Sequence, residues 1–217
     1  MSAIAAIVKD DRIHLLSDAA FYDWRDGVLL KIAPKIWPVP GLNAAFMTRG
    51  PARAFSAFSD LCAAMEFEAF DQLLAVAPDM FVALGRVMEG EGFEILVAGF
   101  SESSGEPVAL FYCTNQGYEE IEPGIVYRLG GVSQFGLDGG DFPAASDFEP
   151  AVHALPAFEK ARRHVEDISC GQAESPVIGH AVGGGVLHIE LTTNGCSGGW
   201  LHMWEDVVGE RIRLETG

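Results

Sequence analysis

The order of segments in this sequence predicts an α+β fold made of antiparallel layers, and three observations lead there. The chain opens with two apolar stretches, residues 3–9 and 12–18, around a polar turn at Asp10-Asp11. Two successive helical patterns then occupy residues 50–88 before strand character returns. One more helical pattern, at 150–168, is followed only by strands. No repeating strand–helix unit appears, which argues against a doubly wound parallel sheet.

The first strand, residues 3–9, is apolar on both faces, as a central buried strand would be. The second alternates Ile13, Leu15 and Leu16 with His14 and Ser17 and ends on Asp18. Residues 19–27 read as a loop closing on an Asp26-Gly27 turn. Residues 28–32 and 34–39 are short extended pieces, because Pro34, Pro38 and Pro40 exclude a helix. A strand at 43–48 leads through Arg49-Gly50 to a helix starting at Gly50-Pro51, where the missing proline N–H costs nothing. Its stripe is Ala54, Phe55, Phe58, Leu61, Cys62 and Met65. A second helix over 67–88 carries Leu73, Leu74, Val76, Phe81, Leu84 and Val87, with Pro78 expected to break or kink it. Residues 93–100 and 107–114 form a hairpin, and 124–129 another strand. Residues 130–148, rich in Gly, Asp and Ser, are expected to be a loop. The third helix, 150–168, turns Phe158, Ala161, Val165 and Ile168 to the core. Strands follow at 177–182, 186–193, 200–204 and 211–214.

With 217 residues and neither a repeat nor a linker, one domain over 1–217 is expected. A chain of this size buries roughly 70% of its unfolded surface and needs no staples. The net charge of −17, from 31 acids against 14 bases, argues against nucleic-acid partners, which need clustered Lys and Arg. Acidity here serves solubility. Cys62, Cys113, Cys170 and Cys196 are far apart without CxxC spacing. The N-terminus lacks a basic region followed by an apolar run, and no apolar run reaches membrane-spanning length. A cytoplasmic protein with reduced thiols and no membrane contact is expected.

Three stretches carry a resemblance: SAIAAIVKDDRIHLLSD at the start, PKIWPVPGLNAAFMTRGPARAFSAF after it, and the hairpin FEILVAGFSESSGEPVALFYCTNQG. They resemble the N-terminal nucleophile (Ntn) hydrolases, most of all the proteasome β-subunit and its bacterial relatives. The layout is similar over most of the chain, and the sequence over about residues 2–60 and 93–117. The resemblance implies a four-layer αββα sandwich of two antiparallel sheets, assembly into rings through helix faces, and a peptide or small amide as substrate. The family's nucleophile, the first residue exposed by processing, falls on Ser2, where the proteasome has Thr. Its acid at the end of the second strand falls on Asp18. Its lysine falls on Lys35, one position later than family spacing, with Lys31 as rival. Its oxyanion-binding glycine falls on Gly50. A supporting serine and an Asp-x-x-Ser pair are matched only loosely by Gly130-Gly131 with Ser133, and by Asp167-Ile168-Ser169, where the spacing is one residue short.

These residue types suit acyl transfer. A serine hydroxyl is a weak nucleophile until a base takes its proton. A terminal α-amine, with an unperturbed pKa of about 7.7–8.0, serves as that base near neutral pH. Ser2 carries such an amine only once Met1 is removed. Lys35 would keep the amine neutral by like-charge repulsion, Asp18 would hold the lysine, and the Gly50 N–H would face the oxyanion. With Met1 retained, the same fold would be a catalytically silent scaffold or assembly component, of the kind a prophage accessory protein would be. Taken singly, each residue has a plainer reading: Asp18 caps a turn, Lys35 is a solvated charge, and Gly50 starts a helix.

No metal or cofactor is expected. His180, His188, His202 and Cys196 lack convergent ligand spacing and read as core or surface residues. Gly183-Gly184-Gly185 has no GK[ST], so it is not a phosphate loop. Asp138-Gly139-Gly140-Asp141 lacks the remaining ligands of a calcium loop. Trp24, Trp37, Trp200 and Trp204 read as core or interface residues.

Overall fold

The computed structural model describes residues 2–137, 142–169 and 174–214. Met1, the Asp138–Asp141 stretch and Cys170 lie outside the described residues. The described chain is α+β, mostly strand. Two five-stranded sheets and three α-helices dominate it.

The first sheet has the order β10-β1-β2-β13-β14, from β1 (Ile4–Val8), β2 (Arg12–Asp18), β10 (Gly131–Phe135), β13 (Gly185–Thr192) and β14 (Gly195–Met203). The second has the order β5-β6-β7-β8-β9, from β5 (Ile36–Pro38), β6 (Ala44–Arg49), β7 (Glu94–Phe100), β8 (Pro107–Cys113) and β9 (Val126–Leu129). Every pairing in both is antiparallel. Two short ribbons join β3 (Ala20–Tyr22) to β4 (Leu29–Ile32) and β11 (Glu166–Asp167) to β12 (Ile178–Gly179). The helices are α1 (Ala52–Met65), α2 (Phe70–Val87) and α3 (Pro150–Arg163).

Side-chain alternation along the strands sorts the apolar residues into three clusters. Ala44, Phe46, Ile95 and Val97 of the second sheet pack with Phe58 of α1 and Leu73, Phe81 and Leu84 of α2. Their alternates Ala45, Met47, Leu96 and Ala98 pack with Ile4, Ala6, Ile13 and Leu15 of the first sheet. The other face of β1, Ala3, Ala5 and Ile7, packs with Ala154, Phe158 and Ala161 of α3. β1 is thus buried on both faces, as its uninterrupted apolar run requires.

Several expectations need correction. Residues 20–22 are not loop: they form β3, because Ala20 and Phe21 pair with Ile32 and Lys31. Within the expected loop 130–148, β10 pairs with all of β1. The mixed residues Gly131-Val132-Ser133-Gln134 carry little strand signal, and the ladder is set by the partner strand. Pro78 does not break α2, which runs on through it with the proline on the solvent-exposed side. α3 stops at Arg163, so Val165 is exposed and Ile168 is buried beyond the helix. β14 begins at Gly195 rather than residue 200, and of 211–214 only Arg211 forms a bridge, to Val28. Trp24 and Trp200 stand exposed, which removes the core half of their expected core-or-interface placement. Among the described residues, no helix is long and apolar enough to cross a membrane.

Candidate functional site

Ser2 lies two residues ahead of β1. By the strand's alternation it shares the face of Ile4 and Ala6, which look into the space between the two sheets. Arg49 follows Ala45 and Met47 on the inward face of β6, and Glu94 precedes Leu96 and Ala98 on the inward face of β7. One end of an otherwise apolar interlayer space is therefore polar.

Asp18, fully buried at the end of β2, is satisfied on both oxygens. Oδ1 accepts from the Ala3 N–H at 3.0 Å and from Lys35 Nζ at 3.0 Å. Oδ2 accepts from the Ala20 N–H at 3.1 Å and from Lys35 Nζ at 2.9 Å. The Asp18 N–H in turn donates to the Ala3 carbonyl at 3.0 Å. The carboxylate thus ties down both the lysine and the backbone that follows the serine.

Lys35, just ahead of β5, is 5% exposed. Its ammonium donates to Ser2 Oγ at 2.7 Å as well as to Asp18, and it lies 5.1 Å from the Phe21 ring centroid, within cation–π range. Burial pushes its pKa below the ordinary lysine value; Asp18 opposes that shift and the Arg49 charge adds to it.

Arg49 Nε donates to the Ser2 carbonyl at 2.5 Å. Its Nη1 donates to Glu94 at 2.6 Å and to the Tyr118 hydroxyl, which itself donates to Glu94 at 2.8 Å. Burial opposes the charge on Arg49, but Glu94 and Tyr118 outweigh it and raise its pKa. Among the described residues, the hydrogen bonds to Ser2 come from Lys35 and Arg49.

Of the residues expected at the site, Ser2, Asp18 and Lys35 therefore meet. Lys31 is exposed and paired opposite Phe21, so the geometry selects Lys35 over its rival. Gly50 sits at the turn from β6 into α1 with φ +105°, and a Cβ there would lie 2.7 Å from the Gly92 carbonyl, so glycine is required. Ser133 is not at the site: it pairs opposite Ala6, four residues along β1 from Ser2. The residue that reaches Ser2 is Gly136, just past β10, at φ +71°, where a Cβ would fall 2.4 Å from the Ser2 carbonyl and 2.8 Å from Arg49 Nη2. Asp167 and Ser169 bond one another, Ser169 Oγ donating at 2.6 Å, and Asp167 also accepts the Val177 N–H at 2.9 Å.

Sequence reading missed Arg49, Glu94 and Tyr118 as site residues. The signal was present for two of them, because each is a charge on the inward-facing phase of an otherwise apolar strand.

Behind the site, Arg162 of α3 pairs with Asp206 through bonds of 2.7 and 2.6 Å. Asp206 also accepts the Gly184 N–H at 2.7 Å, and the neighbouring Gly183 carbonyl accepts the Ala19 N–H at 3.0 Å. This buried pair braces the backbone beside Asp18. Among the described residues, no group of three or more His, Cys, Asp or Glu side chains is arranged to hold a metal ion.

The arrangement presents a hydroxyl to a fixed ammonium and anchors the serine backbone on both sides. Such a set can deliver a nucleophile in one orientation while cations surround it. No family model matches the chain, and no curated protein matches it significantly.

Proposed function

We propose that this chain is a proteasome-like Ntn hydrolase that cleaves a peptide or small amide through Ser2. The observation that supports it best is the 2.7 Å bond from Lys35 Nζ to Ser2 Oγ, with Asp18 at 2.9 and 3.0 Å behind the lysine. The three clusters, helix pair on sheet, sheet on sheet, and sheet on α3, fit a four-layer αββα sandwich.

With Met1 removed, the Ser2 α-amine takes the Oγ proton as Oγ attacks the amide carbonyl. The Gly50 N–H donates to the developing oxyanion. The C–N bond then breaks, the departing amine takes the proton, and an ester remains on Ser2. Water, deprotonated by the same amine, hydrolyses that ester. Lys35 and Arg49 hold the amine in its neutral, basic form by like-charge repulsion.

The test is turnover of a panel of short peptide amides by the untagged protein and by Ser2→Ala. The variant is expected to lose about 10³-fold or more in rate, the scale seen when an activated nucleophile is removed. Equal turnover by the two proteins would end this reading.

Exposed apolar side chains favour a second role. Met65, Val82 and Val87 on the α1–α2 pair and Val152 on α3 stand in solvent. They suit self-association through helix faces. With Met1 retained, that assembly role would remain as a silent scaffold, and an inert protein of oligomeric mass would support it.

A further inference from the structure

Arg49 is buried among apolar residues of the interlayer space, where burial opposes its charge. Its side chain reaches past the end of β10 to the carbonyl of Ser2. Two other features accommodate it. Glu94 and Tyr118 converge on Nη1 and fix the guanidinium plane. Gly136 leaves out the Cβ that would strike both Arg49 and the Ser2 carbonyl, at a positive φ that L-residues rarely adopt.

On the hydrolase reading above, we propose that Arg49 is a positioning residue: held by Glu94 and Tyr118 and admitted by Gly136, it clamps the Ser2 carbonyl and so aims Oγ at Lys35. The Ser2 unit is then gripped at three points. Asp18 holds the Ala3 N–H, Arg49 holds the Ser2 carbonyl, and Lys35 holds the hydroxyl. With Met1 removed, Ser2 has a covalent neighbour on its C-terminal side only, and the carbonyl clamp adds a restraint that the missing N-terminal neighbour would otherwise supply. The charged and titratable groups facing Ser2 are Asp18 from β2, Lys35 ahead of β5 and Arg49 from β6. Glu94 from β7 and Tyr118 beyond β8 lie behind Arg49.

Three variants of the full chain test this. Arg49→Lys keeps the charge but cannot reach the Ser2 carbonyl, Glu94 and Tyr118 together. Arg49→Met/Glu94→Gln removes the clamp without leaving a buried charge unpaired, so it is expected to fold. Tyr118→Phe removes one support. The first readout is native-state hydrogen exchange of the Ala3 amide, with the Leu96 amide deep in β7 as internal reference. The clamp predicts about tenfold faster exchange at Ala3 in the double variant, with Leu96 unchanged, the scale of one lost charged hydrogen bond. The second readout is the acylation rate of Ser2 by a peptidyl sulfonyl fluoride, mapped by mass spectrometry. Arg49→Lys is expected to slow it by about tenfold or more through misplacement alone, and Tyr118→Phe by less. A folded double variant with unchanged Ala3 exchange overturns the clamp, as does Arg49→Lys acylating at the wild-type rate. If Ala3 responds as stated while wild-type Ser2 never acylates, the clamp stands and the hydrolase reading is what fails.

Discussion

Lys35 is held at the meeting point of two opposed demands. Its burial disfavours the charge, and Asp18 restores it through two hydrogen bonds. Removing one partner of such a buried pair leaves the other uncompensated. Lys35→Met is therefore expected to cost about 3–5 kcal/mol in urea unfolding as well as activity. Ser2→Ala gives up a single accepted bond and is expected to cost about 1 kcal/mol or less while abolishing turnover. The same charges fix a pH dependence. On the hydrolase reading, like-charge repulsion from Lys35 and Arg49 is expected to disfavour protonation of the Ser2 amine relative to the free range of about 7.7–8.0. The ascending limb of kcat/KM against pH should accordingly lie below that range, and an amine limb above it would contradict the arrangement. Ser2, Asp18 and Lys35 were singled out in the sequence through the resemblance of residues 2–60 to the Ntn hydrolases, which assigned them by motif position, and the fold brings the three side chains together. Lys35 was preferred to Lys31 on the same resemblance, and the β3–β4 pairing leaves Lys31 exposed while Lys35 is buried ahead of β5. Arg49 and Glu94 went unread although strand alternation placed them inward. Each stands at a strand end, where a charge ordinarily meets solvent.

Helices α1 and α2 were placed by their apolar spacing, the signal that packing uses, although Met65 and Val87 of the expected stripes stand exposed at the helix ends. Phe58 of α1 packs edge-on against Phe46 at 4.9 Å and tilted against Phe81 at 5.9 Å and is completely buried. Phe58→Ala is expected to cost about 3–5 kcal/mol, and a smaller loss would mean that the cluster collapses around the gap. Pro78 is a different case. It removes an N–H from the middle of α2, yet tertiary packing of Leu73, Ala77, Phe81 and Leu84 holds the helix together. Because Pro78 is exposed, Pro78→Ala should restore the bond to Leu74 and stabilise the protein by about 1–2 kcal/mol after the entropy gained by the unfolded chain. β10 and the first half of β14 escaped sequence reading for the reason Pro78 misled it. Gly131–Gln134 and Gly195–Gly199 are weak strand formers, and the ladders of β1 and β13 impose their conformation.

At the scale of the molecule, stability against acid should fall early. His14 is buried on β2 with its Nδ1 3.1 Å from His188 Nε2, and burial lowers its pKa to about 4. The folded state then binds fewer protons than the unfolded state between about pH 6.5 and 4. The contribution of neutral His14 is complete above the unfolded pKa and is lost as pH falls through that window. His14→Phe should flatten this limb in thermal melts taken from pH 7 to pH 4. The exposed apolar side chains on the helix faces predict a mass above that of the 23.3 kDa chain by light scattering, decreasing when Val82 and Val87 are made polar. The fold brings Ser2, the end of β2 and the end of β6 to one buried corner, and the central proposal is that Ser2 is a nucleophile with a free amine. The most direct test is N-terminal peptide mapping of the untagged protein after reaction with the sulfonyl fluoride. The account predicts a chain that begins at Ser2 and carries the adduct on Ser2, with the adduct lost in Lys35→Met. A chain that keeps Met1, or an adduct confined to other residues, would contradict it.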